Sequence, residues 1–598
     1  MPVPKSLGTV FFLPDLITQV LFFLGFSIAL VFWGGAGLLV TSVIAVCVLT
    51  SALLLVLAPP GLPVRLWFIL VALVLWGFVC LLCAANGMFG HKIFTIQIIY
   101  LVSFLVGVKG GKTTNSNQRF LGLLCALCWA EVAYGYYRFL GGSQDVLGLP
   151  QPSEYLGRMS GTFVSPNHFA DLAGITSILL AGFAMSPQRK VLRILLWIAS
   201  VLAFSGVILS GSRIVSVACA LVLGMMILGP SGSLSRRARI FGLLLGVVIL
   251  AGSFFFQMGS MHRLIRGFRD PAITARTLVW SDTVSMCLRH HWVGYGLGNY
   301  QWFYPQFKSV GITKKVDFAH SDVLQTWAEQ GVIGISLWAV FLMACVMGTP
   351  NPDRADPLRL ALEGAIAVLG AVAIVDFPFQ TPAVGMLFFA LLGSLAARQE
   401  FTAEPRPIKV ISVLKVVVAS ALILLSVGIV RTVVGQIVLI EAQHARRMLF
   451  WDEALKKFQR SVWWNPENSV AWKWMGELSR NKYLFSRKTN QVALRQGEMF
   501  LARSLQINQR DGSVWVDIGL ILMDGGEPVK AMDCFKRALW LDPRNSFFHD
   551  MMAKCLIAQQ RFMEAKVHLA MASWLYPRDE VAKVLLKKID RRTGNAKR

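Results

Sequence analysis

Charge is what this sequence has least of. Only 15% of its 598 residues are charged, and 33 Asp+Glu face 58 Lys+Arg. Soluble domains carry about a quarter of their residues charged, so a wholly soluble protein is excluded. A hydrophobic share of 55% and a mean hydropathy of +0.57 exclude a disordered chain as well. Cysteine is sparse too: ten residues, seven of them before position 300, give no disulfide framework. The spacings Cys80/Cys83 and Cys125/Cys128 lie inside hydrophobic runs without a companion His. Zinc needs four converging ligands, so these read as packing residues and no metal site is expected.

The charge that is present is unequal in sign, +25 at neutral pH. In the first 440 residues the bases sit in short loops between apolar runs, a pattern that sets membrane topology. No nucleic-acid partner is expected, because no basic patch on a soluble face is indicated. Runs long enough to span a bilayer begin near Ile17, Leu38, Trp67, Ile93, Phe120, Phe169, Leu192, Ile214 and Ile240. After a polar stretch over 257–331 come Val332–Met347, Ala361–Val375, Ala383–Ala396 and Ile408–Val430. This predicts an all-α polytopic membrane protein of about 12–13 spans, the first uncleaved. Arg65, then Lys109, Lys112 and Arg119, then Arg189, Lys190 and Arg193, then Arg236, Arg237 and Arg239 fall in alternate loops. The positive-inside rule then makes the N-terminus cytoplasmic and puts the 257–331 loop and the C-terminal tail outside.

The tail repeats itself. Ser461-Val-Trp-Trp-Asn-Pro466, Ser504-Leu-Gln-Ile-Asn-Gln509 and Ala538-Leu-Trp-Leu-Asp-Pro543 align, and Trp574-Leu-Tyr-Pro577 follows. The last two spacings are 34 residues and the first is 43, which implies an insertion. Thirty-four residues is the helix–turn–helix period of tetratricopeptide (TPR) repeats, which the segment resembles. Two domains are expected: a multi-span membrane body over 1–440 and an extracytoplasmic α-solenoid over 441–598. Such a solenoid offers a groove to a protein partner.

Chemistry is sought in the long loop and the boundaries beside it. Gly294-Tyr-Gly296-Leu-Gly298-Asn299-Tyr300 has the glycine spacing of a phosphate cradle, but no strand–turn–helix surrounds it, so a nucleotide loop is rejected. His320, Leu324, Trp327 and Gly331 fall on one helical face. An imidazole at the membrane surface titrates near neutrality and can take a proton from a hydroxyl. An interfacial His bonded to a loop carbonyl is the other reading of the same spacing. Arg158 and Asn167 in one outer loop, and Arg213 at the end of Ser210-Gly-Ser-Arg213, add guanidinium and amide groups at the outer boundary. Each arginine alone can snorkel to headgroups. Several from separate segments suggest a site for an anion such as a lipid diphosphate, which suits the planar guanidinium fork. Asp270, Asp282, Asp317 and Asp322 are scattered and form no paired metal site.

Together Ser210–Arg213, Arg276 with Trp280, the glycine-rich segment, His320-Ser-Asp-Val-Leu-Gln-Thr-Trp-Ala-Glu329-Gln-Gly and Asp376-Phe-Pro-Phe-Gln-Thr-Pro-Ala383 resemble the O-antigen ligase/polymerase superfamily. The resemblance covers about residues 1–430 and is most specific over 155–385. It implies a GT-C-like fold and transfer of a glycan from an undecaprenyl-diphosphate carrier to an acceptor hydroxyl at the outer face of a bacterial inner membrane. It further implies catalytic roles for His320, Arg213 and Arg276. Substrate-binding roles are expected for Arg158, Asn167, Asn299 and Glu329. No cofactor, nucleotide or metal is expected, and the partners would be the lipid-linked glycan, the bilayer and a lipid A-core, glycan or protein acceptor. Ser321 stands where family members often carry Asn. A polysaccharide polymerase and a protein O-oligosaccharyltransferase are alternatives within the superfamily; a transporter and an assembly scaffold are alternatives outside it.

Overall fold

The structure, a computed structural model, describes residues 13–35, 37–57, 59–143, 145–228, 271–312, 315–347, 356–398 and 412–595. Within these lie 22 α-helices and one two-stranded antiparallel hairpin, Asp145–Val146 with Leu149–Pro150. The chain is a multi-pass helical bundle continued by a helical-repeat tail.

The bundle begins with α1 (Leu13–Val31), α2 (Leu38–Leu57), α3 (Val64–Leu82), α4 (Gly87–Gly110) and α5 (Thr114–Leu140). There follow α6 (Pro166–Met185), α7 (Lys190–Ser210) and α8 (Arg213–Leu228). The segment between α8 and α11 supplies α9 (Pro271–Arg289) and the short α10 (Tyr300–Phe303). The bundle closes with α11 (Asp322–Met347), α12 (Pro357–Val375), α13 (Pro382–Ala396) and α14 (Ser412–Arg447). Among the described residues ten helices are long and apolar enough to cross a membrane, and α8 and α13 are shorter apolar helices. Twelve of the thirteen expected spans therefore have a helix; the one beginning near Ile240, with Arg236, Arg237 and Arg239, lies outside the described residues.

Two helices form the centre. Every residue of α13 is buried, and α6 is buried along nearly its whole length. Small residues let the backbones close up: a Cβ at Gly107 on α4 would strike the Ala390 carbonyl, and one at Gly393 would strike that of Phe104. Outer helices keep apolar faces exposed, as with Phe68, Val71 and Leu75 on α3, where lipid replaces water as solvent. Both central helices start with proline at the same end of the bundle, where that residue's missing N–H costs nothing. The loops that feed them, 157–165 and 376–381, therefore meet there.

Following the helices end to end places Arg65, Lys109, Lys112, Arg119, Arg189, Lys190 and Arg193 at the opposite end of the bundle. Two boundaries differ from the sequence expectation. α11 starts at Asp322, ten residues before the predicted run, because its first turns are polar and separated from the apolar part by a break at Gly331 (φ +68°). A Cβ there would strike the Trp292 carbonyl, so this backbone crossing requires glycine. The expected boundary at 440 falls inside α14, whose 36 residues run unbroken from the bundle into the tail. At 1.5 Å per residue that is about 54 Å, more than one bilayer core.

The tail stacks α15 (Trp451–Trp464), α16 (Ser469–Phe485), α17 (Gln491–Ile507), α18 (Gly512–Asp524), α19 (Pro528–Leu541), α20 (Ser546–Ala558), α21 (Phe562–Leu575) and α22 (Glu580–Asn595). The repeated anchors Asn465-Pro466, Asn508-Gln509, Asp542-Pro543 and Tyr576-Pro577 each close the second helix of a pair. The next helix starts with an Asn or Asp cap in all four cases, Asn468, Asp511, Asn545 and Asp579. The insertion in the first spacing is explained: α16 and α17 have 17 residues each, against 13 and 14 in α18 and α19.

Candidate active site

At the end of the bundle where α6 and α13 start, side chains from four segments form one connected chain of polar contacts. Arg158 Nη2 donates to Asn167 Oδ1 at 2.8 Å, and Asn167 Nδ2 donates to Asp376 Oδ2 at 3.1 Å. Arg276 Nη2 lies 3.5 Å from that same carboxylate oxygen. Arg158 also donates through Nε to the Ser210 carbonyl at 2.5 Å, which ties it to the turn that opens into Arg213 at the start of α8. Gly211, at φ +71°, makes that turn by capping α7 in the left-handed region. Arg158, Asn167 and Arg276 are thus brought together around Asp376, with Arg213 exposed on the neighbouring turn.

His320 joins from above. Its ring meets the Phe377 ring edge-to-face at 4.9 Å, and His168 meets the same ring at 5.2 Å, so one phenyl group contacts both imidazoles. His168 in turn has Nδ1 3.5 Å from Asp171 Oδ2. The His320 backbone sits at φ +52°, a region that L residues other than Asn, Asp and His seldom occupy. Trp280 Nε1 donates to the His320 carbonyl at 3.1 Å and helps hold that conformation. Arg276 and Trp280 are one turn apart on α9, so one helix carries both the cation and the indole. His320 Nδ1 is buried without a hydrogen-bond partner among the described residues. Burial, then the Arg276 charge, hold its pKa below the ordinary 6.5, with Asp376 opposing. The imidazole is therefore neutral, and able to accept a proton, at neutral pH.

Ser321 accepts from the Leu324 N–H at 3.2 Å and caps α11. Asn is as good a cap as Ser, so the substitution noted in the sequence preserves this geometry. Asp322 accepts from the Phe379 N–H at 2.9 Å, and its own N–H donates to the Asp376 carbonyl at 3.1 Å, locking α11 to the 376–381 loop.

Asn299 and Glu329 stand apart from this cluster. Asn299 is fully buried; its Oδ1 accepts from the Ala85 N–H at 2.8 Å, and Nδ2 donates to the Cys83 and Tyr295 carbonyls. Glu329 accepts from Gln325 Nε2 at 2.8 Å and from the Tyr300 N–H at 3.4 Å. Both brace the glycine-rich segment, whose Gly294, Gly296 and Gly298 all have positive φ and pack against the backbone at the Gly331 break, at Cys83 after α3 and at the start of α4 respectively. The glycine spacing is therefore a packing device.

Asp376, Phe377 and His168 were not among the expected site residues. Asp376 and Phe377 belong to the Asp376–Ala383 motif, which was a signal without an assigned role; His168 follows Asn167 directly but faces Phe377 only in three dimensions.

Residues 198–339 match the family model described as O-antigen ligase. That span contains Arg213, Arg276, Asn299, His320 and Glu329. No curated protein matches the chain. Among solved structures it is similar to YrrB, a TPR protein with an unusual peptide-binding site (TM-score 0.23, 15% identity, covering 30% of this chain and 87% of that one). It is also similar to TTC0263, a thermophilic TPR protein of Thermus thermophilus (TM-score 0.19, 19% identity, 26% and 98% covered). A third is the APC/C hetero-tetramer Cut9–Hcn1 (TM-score 0.23, 12% identity, 92% and 84% covered). The TPR character of the tail stands on its 34-residue period and paired helices. The family match supports a membrane glycosyl-transfer role in O-antigen or polysaccharide processing. The chain is thus a multi-pass helical membrane body in which residues 198–339 match the O-antigen ligase family model, with a TPR-type solenoid as its tail.

Proposed function

We propose that the protein transfers a glycan from an undecaprenyl-diphosphate carrier to an acceptor hydroxyl at the outer face of the inner membrane, with lipid A-core as the first choice of acceptor. The observation that carries this reading is the grouping of Arg158, Arg276 and the Arg213 turn beside a neutral, half-buried His320. The acceptor oxygen attacks the anomeric carbon while the bond from that carbon to the diphosphate oxygen breaks. His320 takes the hydroxyl proton. The leaving diphosphate keeps the bonding electron pair, and the guanidinium groups stabilise the charge it gains. A single displacement inverts the anomeric centre. A covalent intermediate would need a carboxylate nucleophile, whereas Asp376 accepts at Oδ2 from Asn167 and at Oδ1 from the Phe377 N–H. The transporter alternative fits less well: Glu131 accepts from Thr162, Asp171 pairs with His168 and Glu363 pairs with Arg359, each a local contact.

Basic residues concentrated at the far end of the bundle support a cytoplasmic placement of that end, with the site and tail facing the periplasm. The test is purified full-length protein given a lipid-diphosphate-linked glycan and lipid A-core, glycan or protein acceptors in parallel. The reading predicts release of lipid diphosphate with one acceptor gaining the glycan in inverted linkage. It fails if the donor stays intact with all three.

A further inference from the structure

We infer that the repeat tail also positions the helix bearing Arg276, so that Arg510, Asp542 and Arg544 are positioning residues for the transfer reaction; this rests on the glycan-transfer reading above. The tail touches the segment between α9 and α11 along the edge formed by its anchor turns. Lys308 Nζ lies 3.2 Å from Asp542 Oδ1 and 3.3 Å from Oδ2, with the two side chains only 10% and 15% exposed. Arg544 donates to the Lys308 carbonyl. One repeat earlier, Arg510 donates to Gln306 Oε1 at 2.9 Å and lies 3.5 Å over the Phe303 ring, while Gln306 Nε2 donates to the Trp540 carbonyl at 3.3 Å. Two successive repeats therefore grip residues 303–308.

What they grip leads directly to the site. Ser309 follows Lys308; its N–H donates to Asp282 Oδ2 at 2.7 Å and its hydroxyl donates to Oδ1. Tyr304 donates to the same carboxylate at 3.0 Å. Asp282 sits on α9, two residues past the Trp280 that holds the His320 carbonyl and six past Arg276. A helix is stiff over this length, so the position of Asp282 sets that of the guanidinium and the indole. The tail thus fixes the angle at which α9 presents Arg276 to Asp376 and Trp280 to His320. A groove-only tail would need none of these contacts, since its partner would occupy the concave face rather than the turn edge.

The test is a charge exchange in the full-length protein: Lys308→Asp, Asp542→Lys and the two together, with Asp542→Asn as a milder variant that can still accept from Asn545. Each single reversal should lower kcat about tenfold or more, with donor KM within about threefold, because misplacement acts on the reacting geometry. The exchanged pair should recover to within about threefold of wild type. Amide hydrogen exchange across Pro271–Arg289 should quicken in the single variants and slow again in the pair. Single variants that turn over and exchange like wild type, or a pair no better than either single, would overturn the positioning role. Inactive wild type on every donor would instead sink the glycan-transfer reading, and the exchange pattern would still decide whether the tail holds α9.

Discussion

Two polar corners at the end of the bundle where α6 and α13 start invite comparison, because each contains an asparagine and a carboxylate. In one, Asn299, Gln325 and Glu329 bond to backbone and to each other, and Asn299 is fully buried. In the other, Arg158, Asn167, Asp376 and Arg276 form a chain whose cationic ends remain partly open, Arg276 with 31% of its side chain exposed. The first corner is closed upon itself, so its groups hold backbone in place. The second sets Arg276 beside a carboxylate that Asn167 links to Arg158, next to a neutral imidazole, an arrangement suited to an incoming anion and a proton. A buried amide and a half-open guanidinium can have equal standing in a sequence; their partners separate brace from site.

The comparison breaks most readily at His320. His320→Ala should cut transfer by about 10²–10⁴-fold with the fold retained, read from initial rates beside a thermal melt. Arg276→Ala should cost about 10²-fold, and Arg276→Lys should recover little of it, because an ammonium cannot reproduce a planar fork. A melt unchanged and a rate unchanged in either variant would move the site elsewhere. The pH profile sharpens the contrast. Since His320 is held below its ordinary 6.5, kcat/KM should rise with pH through a midpoint under that value and level off above it. Asp376→Asn removes the group that opposes burial, so the acid limb should move to still lower pH. The same sign applies to stability: the unfolded chain takes the proton first, so His320 favours folding above the ordinary value and this contribution is lost as pH falls.

The braced corner should respond differently. Asn299→Ala leaves the Ala85 N–H and the Cys83 and Tyr295 carbonyls without their partner and should cost about 1–3 kcal/mol of stability, seen as a lower Tm. The rate per folded molecule should stay within about twofold, as its side chain faces protein. The smallest effect is expected at Ser321→Asn, which keeps the cap on α11 and should change stability by less than about 0.5 kcal/mol.

Much of the fold was legible because each element announces itself locally. Apolar runs gave the spans, and the 34-residue spacing gave the tail. The start of α11 was missed because Asp322, Gln325, Glu329 and Gln330 read as loop; tertiary contacts bury them. The site was only partly legible for a different reason. Arg158 and Asn167 stand out by residue type and boundary position, His320 by its spacing in the long loop, and Arg276 only through the family resemblance; the fold brings the four together. Asp376 escaped assignment because its partner Asn167 is 209 residues away in sequence. Asn299 looked like a ligand-facing amide because its three backbone partners lie on other turns of the chain. Closure of a hydrogen-bond network over such separations is a property of packing, which local pattern does not carry.

The most direct measurement compares the two corners in one assay. Lipid diphosphate released from a labelled lipid-linked glycan would be followed for wild type, Arg276→Ala and Asn299→Ala, each normalised to folded protein. The account predicts release by wild type, near-complete loss in Arg276→Ala, and a rate close to wild type in Asn299→Ala. Equal rates for wild type and Arg276→Ala, or loss confined to folded Asn299→Ala, would contradict it.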